Sequence, residues 1–509
     1  MQAVQKVSSP KPLWPMERRA AVLEQFLARH QTWVLALWSL AYFAGTALRA
    51  RGKPFWYDEI LTLLEAHQPS LAASLHALGD VDWMPPATHF VFYFTYKLLG
   101  SGEMAFRIPS MIGFWLFCLC LFFFARRRVS FYFSFLALLL PFASTFPTYS
   151  CEARSYALML GLCGLALVSW QAATVKARRG WPLAGLALSL LAAIALQYWA
   201  VLIYLPLAGA EAYRNFQRRR IDWPIWIAFV LGGVPLLFSV FLLVHGLHAW
   251  LPWIRTQPTD YLFFYKFAFF VPSWFYFTNG AALLLLLWFV LGGSKEPPEG
   301  SCPSEVPAHE WLAAAVLLLI PVAGVSIALA APPHMFTWRY AIPVIGGFAL
   351  LVSLLAARFT NRRSALGLVL VLAALAAFAD QMDQPRSFPN PFQAHGVKQQ
   401  LERGPIVIDE DLLTYLQLWY YTPDRLKPHL LFLWLEPRVK FTLNGPFVTE
   451  FPKVGVPVLS YDSFALPGKE FQMYALKVDR IQRSILRHGG SLTIEKPAGY
   501  GVLMLAHLK

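Results

Sequence analysis

Charge is what this chain has least of. Of its 509 residues only 14% are Asp, Glu, Lys or Arg, against 57% hydrophobic and 16% aromatic. An ordinary soluble globule is excluded, because its surface needs roughly a quarter of charged residues. Cysteine is scarce too. The five present (Cys118, Cys120, Cys151, Cys163 and Cys302) fall mostly in apolar stretches, with no metal-ligand spacing and no even set in the polar part, so no disulfide framework is implied. No Asn-x-Ser/Thr sequon occurs, which fits a bacterial inner membrane better than an endoplasmic reticulum. Internal repeats and low-complexity tracts are absent. No small-residue cleavage site follows the first apolar run, so a retained first helix is expected behind a tail, 1–31, that carries Lys6, Lys11, Arg18, Arg19 and Arg29.

What the chain does have is apolar stretches near the 20-residue length of a bilayer-spanning helix, recurring from residue 32 to residue 380. From 381 to 509 charges, Pro and Gly return at ordinary spacing. The net charge of +14 does not point to nucleic acid, because the basic residues punctuate hydrophobic segments instead of forming one surface. Clusters stand at Arg126-Arg127-Arg128, Lys176 with Arg178-Arg179, Arg214 with Arg218-Arg219-Arg220, and Arg358 with Arg362-Arg363. Placing them in the cytoplasm predicts spans near 32–49, 105–125, 129–147, 155–172, 182–197, 199–213, 224–244, 281–293, 310–331, 340–357 and 364–380, about eleven in all. The expected fold class is an α-helical polytopic membrane protein, amino terminus cytoplasmic, with a C-terminal extracytoplasmic α/β domain over 381–509. The first outer loop, 50–104, is long. Its 58–67 stretch suits an amphipathic helix, and 87–99 is apolar but too short to cross, so it is placed in the interface. In the tail, Ile406-Val407-Ile408 reads as a buried strand, Asp411 to Leu416 as a helix start, Val456 to Leu459 as an edge strand and Tyr500 to Ala506 as a terminal strand.

The residues able to do chemistry collect in the outer loops. Phe55-Trp56-Tyr57-Asp58-Glu59 sets two adjacent carboxylates among aromatics, where a partly desolvated carboxylate can act as a general base. The plainer reading is that Asp58 caps an interfacial helix and Glu59 supports its first turn. Asp80-Val81-Asp82 is a DxD pair, a pattern that holds a metal on a nucleotide sugar but also arises as a solvated turn; nucleotide sugars are cytosolic and this loop is placed outside. In Tyr149-Ser150-Cys151-Glu152-Ala153-Arg154-Ser155-Tyr156, helical spacing puts Tyr149, Glu152 and Tyr156 on one face and Ser150 and Arg154 on another. Charges at such depth face a cavity or each other. Arg339, in Pro332 to Tyr340, suits a phosphate at the outer interface or snorkels to the headgroups, and Arg107 has the same two readings. His245 and His248 lack partners in a metal pattern and read as loop histidines.

In this order, Trp56-Tyr57-Asp58-Glu59, Pro85-Pro86, Glu103 to Ser110, Glu152-Ala153-Arg154 to Tyr156, and Arg339-Tyr340 resemble the membrane-embedded glycosyltransferases of the GT-C superfamily. The nearest group is that of the protein mannosyltransferases and aminoarabinose transferases. The resemblance implies transfer of a sugar from a polyprenyl-phosphate donor, entering from the lipid bilayer, to a lipid, glycan or protein acceptor, with inversion. It implies Asp58 as base, Glu59 or Glu152 orienting the acceptor, and Arg154 and Arg339 on the phosphate, with Asp82, Arg107, Tyr156 and Tyr340 in the same substrate region. No cofactor is firmly expected; metal dependence stays open, since no ligand set commits the chain to a divalent ion. Met84 stands where relatives commonly have His before the double proline, and Ala87 where they have Leu, so that histidine's role does not carry over. A transporter or flippase of a lipid-linked substrate shares the hydrophobic pattern. It would be expected to show inverted repeats, which are not found.

Overall fold

The structure is a computed structural model that describes residues 15–76, 84–175, 178–238, 255–269, 306–331, 334–358, 363–383, 390–409, 412–435, 451–464, 466, 468–476 and 480–509. Four helices among these are long and apolar enough to cross a bilayer: Gln31–Gly52, Ile108–Arg126, Tyr156–Val175 and Ser364–Asp383. A bent pair, Ala308–Leu318 and Ile320–Ala330, makes a fifth if it is one span. Shorter helices stand at other expected spans: Phe131–Leu139, Gly180–Leu196, Tyr204–Arg218, Trp223–Gly232 and Val344–Arg358. The expected span 281–293 lies outside the described residues. The tail expected over 1–31 carries a helix of its own, Pro15–Arg29.

Prolines explain two departures from the expected spans. Over 129–147 one helix is expected, but Phe131–Leu139 gives way to 3-10 turns at Leu140–Ala143 and Phe146–Cys151, each with a Pro at its head, Pro141 and Pro147. Over 310–331 the chain bends by 54° just before Pro321. Proline has no N–H for the preceding turn and its ring crowds the carbonyl there, so a straight helix cannot continue through it.

Beneath the residues of interest the Ile108–Arg126 and Tyr156–Val175 helices touch backbone to backbone. A Cβ on Gly113 would sit 2.3 Å from the Leu158 Cα and 2.4 Å from the Ala157 carbonyl oxygen, and one on Gly161 would sit 2.4 Å from the Gly113 carbonyl oxygen. Small residues permit this approach where no hydrophobic force draws helices together in lipid. Gly113→Ala is therefore expected to splay the pair and cost about 1–3 kcal/mol, the usual range for overpacking. Thermal unfolding in detergent checks it against Gly209→Ala, whose Cβ meets nothing within 4 Å.

Two of the basic clusters also make buried ion pairs. Arg128 pairs with fully buried Glu310, which also accepts from Gln171 Nε2 at 3.1 Å. Arg214 reaches fully buried Glu211 at 2.7 Å and Asp222 at 2.5 Å. The first pair joins segments 182 residues apart, whereas the second lies within one helix and reaches the start of the next; a charge so placed needs its partner.

The C-terminal domain is built on a six-stranded sheet: β1 Ile406–Asp409, β2 Leu430–Trp434, β3 Leu459–Ser460, β4 Glu470–Ala475, β5 Ser491–Ala498 and β6 Gly501–His507. Their order is β3-β2-β1-β4-β6-β5, parallel from β3 to β4 and antiparallel beyond. The expected edge strand is present as β3, though only from Leu459. The helix expected near 411 runs Leu412–Tyr421. Its buried Tyr415, Leu416 and Leu418 share one apolar cluster with Phe55, Ile60 and Phe106 of the first long loop, so the domain and that loop have a common core.

Candidate active site

The Gln31–Gly52 helix is followed by an extended segment and then by the Tyr57–Ala66 helix, with Trp56 extended ahead of it. Asp58 and Glu59 thus fall in a helix's first turn, where unpaired N–H groups favour negative charge. They have different surroundings. Glu59 is fully buried; its Oε2 accepts from the Trp56 N–H at 3.2 Å and its Oε1 from the Ala153 N–H at 2.6 Å. Arg107, also fully buried, meets it as a fork, Nε to Oε1 at 2.7 Å and Nη2 to Oε2 at 2.8 Å. The remaining guanidinium donors go to the carbonyls of Ala50 and Lys53, both at 2.6 Å, and Pro54 at 3.1 Å. All five donors are engaged, and none is left for a phosphate. Of the two readings open for Arg107, phosphate or headgroup, neither is the contact seen here: its guanidinium meets Glu59 and the loop carbonyls.

Asp58 faces the other way. Its carboxylate pairs with Arg339, from the Trp338–Tyr340 turn, and both side chains keep some exposure, 18% and 22%. The guanidinium lies over the Trp56 ring at 5.0 Å and the Trp338 ring at 5.6 Å from the centroids. Burial works against the charge on Arg339, but Tyr156, Asp58 and Tyr149 around it more than offset that and hold its pKa up. A second, largely buried pair is close by: Lys53 Nζ stands 3.7 Å from Glu152 Oε1. Burial pushes the Glu152 carboxyl above the usual range; Lys53 and Arg339 oppose this, while Glu59 and Asp58 add to it.

Arg154 donates to Thr62 Oγ1 at 2.9 Å and to the Asp58 carbonyl at 3.3 Å, pinning the turn that presents Asp58. Its own carbonyl accepts from Ser110 Oγ at 2.9 Å. The segment 149–156 is not one helix. A 3-10 turn ends at Cys151, and the next helix begins at Tyr156, so the predicted faces do not form. Ser150 instead caps back to the Pro147 carbonyl at 2.6 Å. Tyr149 and Tyr156 nevertheless meet, rings 5.7 Å apart, and Tyr340 lies 6.3 Å from Tyr156 and stacks on Trp199 at 5.6 Å.

Asp58, Glu59, Arg107, Glu152, Arg154, Tyr156, Arg339 and Tyr340 are thus gathered in one region. Asp82, with the rest of its DxD pair, and His245 and His248 lie outside the described residues. Among the described residues no three His, Cys, Asp or Glu side chains gather as a metal-ligating group. Lys53 and Thr62 are partners that sequence reasoning missed; only the position of Thr62, one turn after Asp58, could have signalled one of them.

Two solved structures superpose on nearly the whole chain. ArnT from Cupriavidus metallidurans in the apo state matches with a TM-score of 0.56 at 13% identity, covering 94% of this chain and 98% of that one. The chain shares the fold of that protein. The same protein bound to undecaprenyl phosphate matches with a TM-score of 0.55 at 14% identity, with the same coverage. No family model matches, and no curated protein sequence does. The site has a carboxylate able to accept a proton beside a cation able to take negative charge, and both side chains are partly exposed.

Proposed function

We propose that the chain is an inverting glycosyltransferase that moves a sugar from a polyprenyl-phosphate donor to an acceptor hydroxyl at the extracytoplasmic face of the membrane. The observation that carries this is the contrast between the two neighbouring carboxylates: Glu59 accepts four hydrogen bonds, two from Arg107 and one each from the Trp56 and Ala153 N–H groups, whereas the Asp58 carboxylate is held, among the described residues, by the partly exposed Arg339. The shared fold with a protein solved with undecaprenyl phosphate bound supports a lipid-borne donor.

In this reading the donor's phosphate competes with Asp58 for Arg339 and draws the guanidinium toward itself, leaving the carboxylate without its counter-ion. Lys53, which pairs with Glu152 and donates to the Cys151 carbonyl, is a second cation in the same field. The acceptor O–H then gives its proton to Asp58 as its oxygen bonds to the anomeric carbon. The bond from that carbon to the phosphate oxygen breaks on the opposite face, and its electron pair leaves with the polyprenyl phosphate, whose charge Arg339 stabilises. Arg154 and Glu59 with Arg107 act as positioning residues. Tyr149, Tyr156 and Tyr340 wall the site and help to exclude water.

The bent Ala308–Leu318 and Ile320–Ala330 pair is the feature a transporter would share. Its break falls at Leu319, where the Leu318 carbonyl is taken by the Tyr265 hydroxyl at 2.7 Å instead of being left for an ion, so it does not favour transport. Purified protein supplied with polyprenyl-phosphate sugars is expected to release polyprenyl phosphate and form a glycoside of opposite anomeric configuration. Retained configuration overturns the mechanism. Movement of intact lipid-linked sugar between leaflets, with no bond cleaved, overturns the enzyme reading.

A further inference from the structure

The segment that presents Asp58 is gripped from the far end of the sequence. Residues 54–56 run between two helices without a helical partner for their backbone groups, and a half-buried N–H there needs an acceptor from elsewhere. Tyr421, the last residue of the Leu412–Tyr421 helix, provides it. Its hydroxyl oxygen accepts from the Phe55 N–H at 2.5 Å and donates to Glu103 Oε1 at 3.2 Å. The neighbouring Tyr420 sets its ring against the fully buried Phe55 ring, 5.9 Å apart and at 70°. The Phe55 ring also carries the Arg107 guanidinium, 5.0 Å from its centroid. The next residue, Trp56, lies under Arg339, and Asp58 follows two positions on. Burial and Glu103 hold the Tyr421 hydroxyl well above its ordinary pKa, so it stays protonated and able to donate.

We infer that Tyr421 is a positioning residue through which the C-terminal domain fixes the backbone that presents Asp58 and Trp56 to the donor. The inference rests on the reading of Asp58 as the base, but the contact itself can be tested without it. The domain's helix packs directly on the Tyr57–Ala66 helix and shares its apolar core. The domain therefore completes the site from outside the membrane-spanning part.

Tyr421→Phe keeps the ring and removes only the hydroxyl. Amide hydrogen exchange on the full-length protein in detergent reads the contact. Loss of one such hydrogen bond is expected to speed exchange at Phe55 about 3- to 10-fold. Amides of β1 and β4 should be unchanged, which shows that the domain remains folded. In a transfer assay kcat is expected to fall by a similar factor with the donor KM within about twofold, because the phosphate contact at Arg339 is intact and only the base is misplaced. Unchanged exchange at Phe55 overturns the inference, as does faster exchange spread equally over β1 and β4. A raised KM with unchanged kcat also overturns it. If the wild-type protein turns over no polyprenyl-phosphate sugar, the proposed activity falls, and exchange at Phe55 still decides whether Tyr421 holds this segment.

Discussion

Asp58→Asn is expected to lower the rate of sugar transfer about 10²- to 10⁴-fold, the usual worth of a positioned general base. The substitution is close to isosteric, and the amide oxygen can still accept from Arg339, so the neighbouring structure has no reason to move. The Glu59–Arg107 fork, the Arg154 bond to the Asp58 carbonyl and the Phe55–Tyr421 contact all use other atoms. What is lost is the capacity to take a proton. Binding of undecaprenyl phosphate should be retained or become tighter, because the lipid's phosphate no longer competes with a carboxylate for Arg339. Single-turnover transfer, with binding of undecaprenyl phosphate measured alongside, separates the two effects. Turnover within about threefold of wild type would remove Asp58 as the base. Asp58→Glu keeps the carboxylate but displaces it by a methylene, so an intermediate loss is expected.

The adjacency of Trp56, Asp58 and Glu59 made the candidate carboxylates visible in the sequence, and the basic clusters marked the ends of helices. Neither shows what a carboxylate touches. Glu59 and Asp58 are neighbours of the same charge in one turn, and only the fold brings Arg107 from 48 residues away to the first and Arg339 from 281 residues away to the second. The Phe55–Tyr421 contact spans 366 residues and joins two tracts that composition alone separates into membrane and water-exposed parts. The shared faces considered for 149–156 hold only if it is helical, and Pro147 heads a 3-10 turn through Cys151 instead. Likewise Glu211 could be read as the partner of Arg214 from its place three residues earlier on one helix, but nothing in the spacing of Arg128 reveals Glu310, 182 residues away, buried against it. Local pattern thus located the elements and the chemistry-bearing loops; pairing, which depends on long-range packing, assigned the roles.

Arg107→Ala is the substitution expected to harm the fold most. It leaves the Glu59 carboxylate buried beside two backbone N–H groups without its counter-ion, and strands the carbonyls of Ala50, Lys53 and Pro54. Removing one partner of a buried ion pair typically costs about 3–5 kcal/mol, because the other charge stays desolvated. Arg107→Lys should recover little of this, since an ammonium has three donors where five acceptors wait and cannot form the planar fork. Glu59→Gln with Arg107→Ala should cost less than the sum of the two single changes, because the neutral amide removes the stranded charge. Unfolding midpoints in detergent, compared at one heating rate because such unfolding is often irreversible, give the ranking. If Arg107→Ala instead unfolds like wild type and loses affinity for undecaprenyl phosphate, Arg107 is a phosphate ligand after all. The outcome expected here is the reverse: a large loss of stability, with undecaprenyl phosphate affinity near that of wild type in whatever fraction remains folded at low temperature.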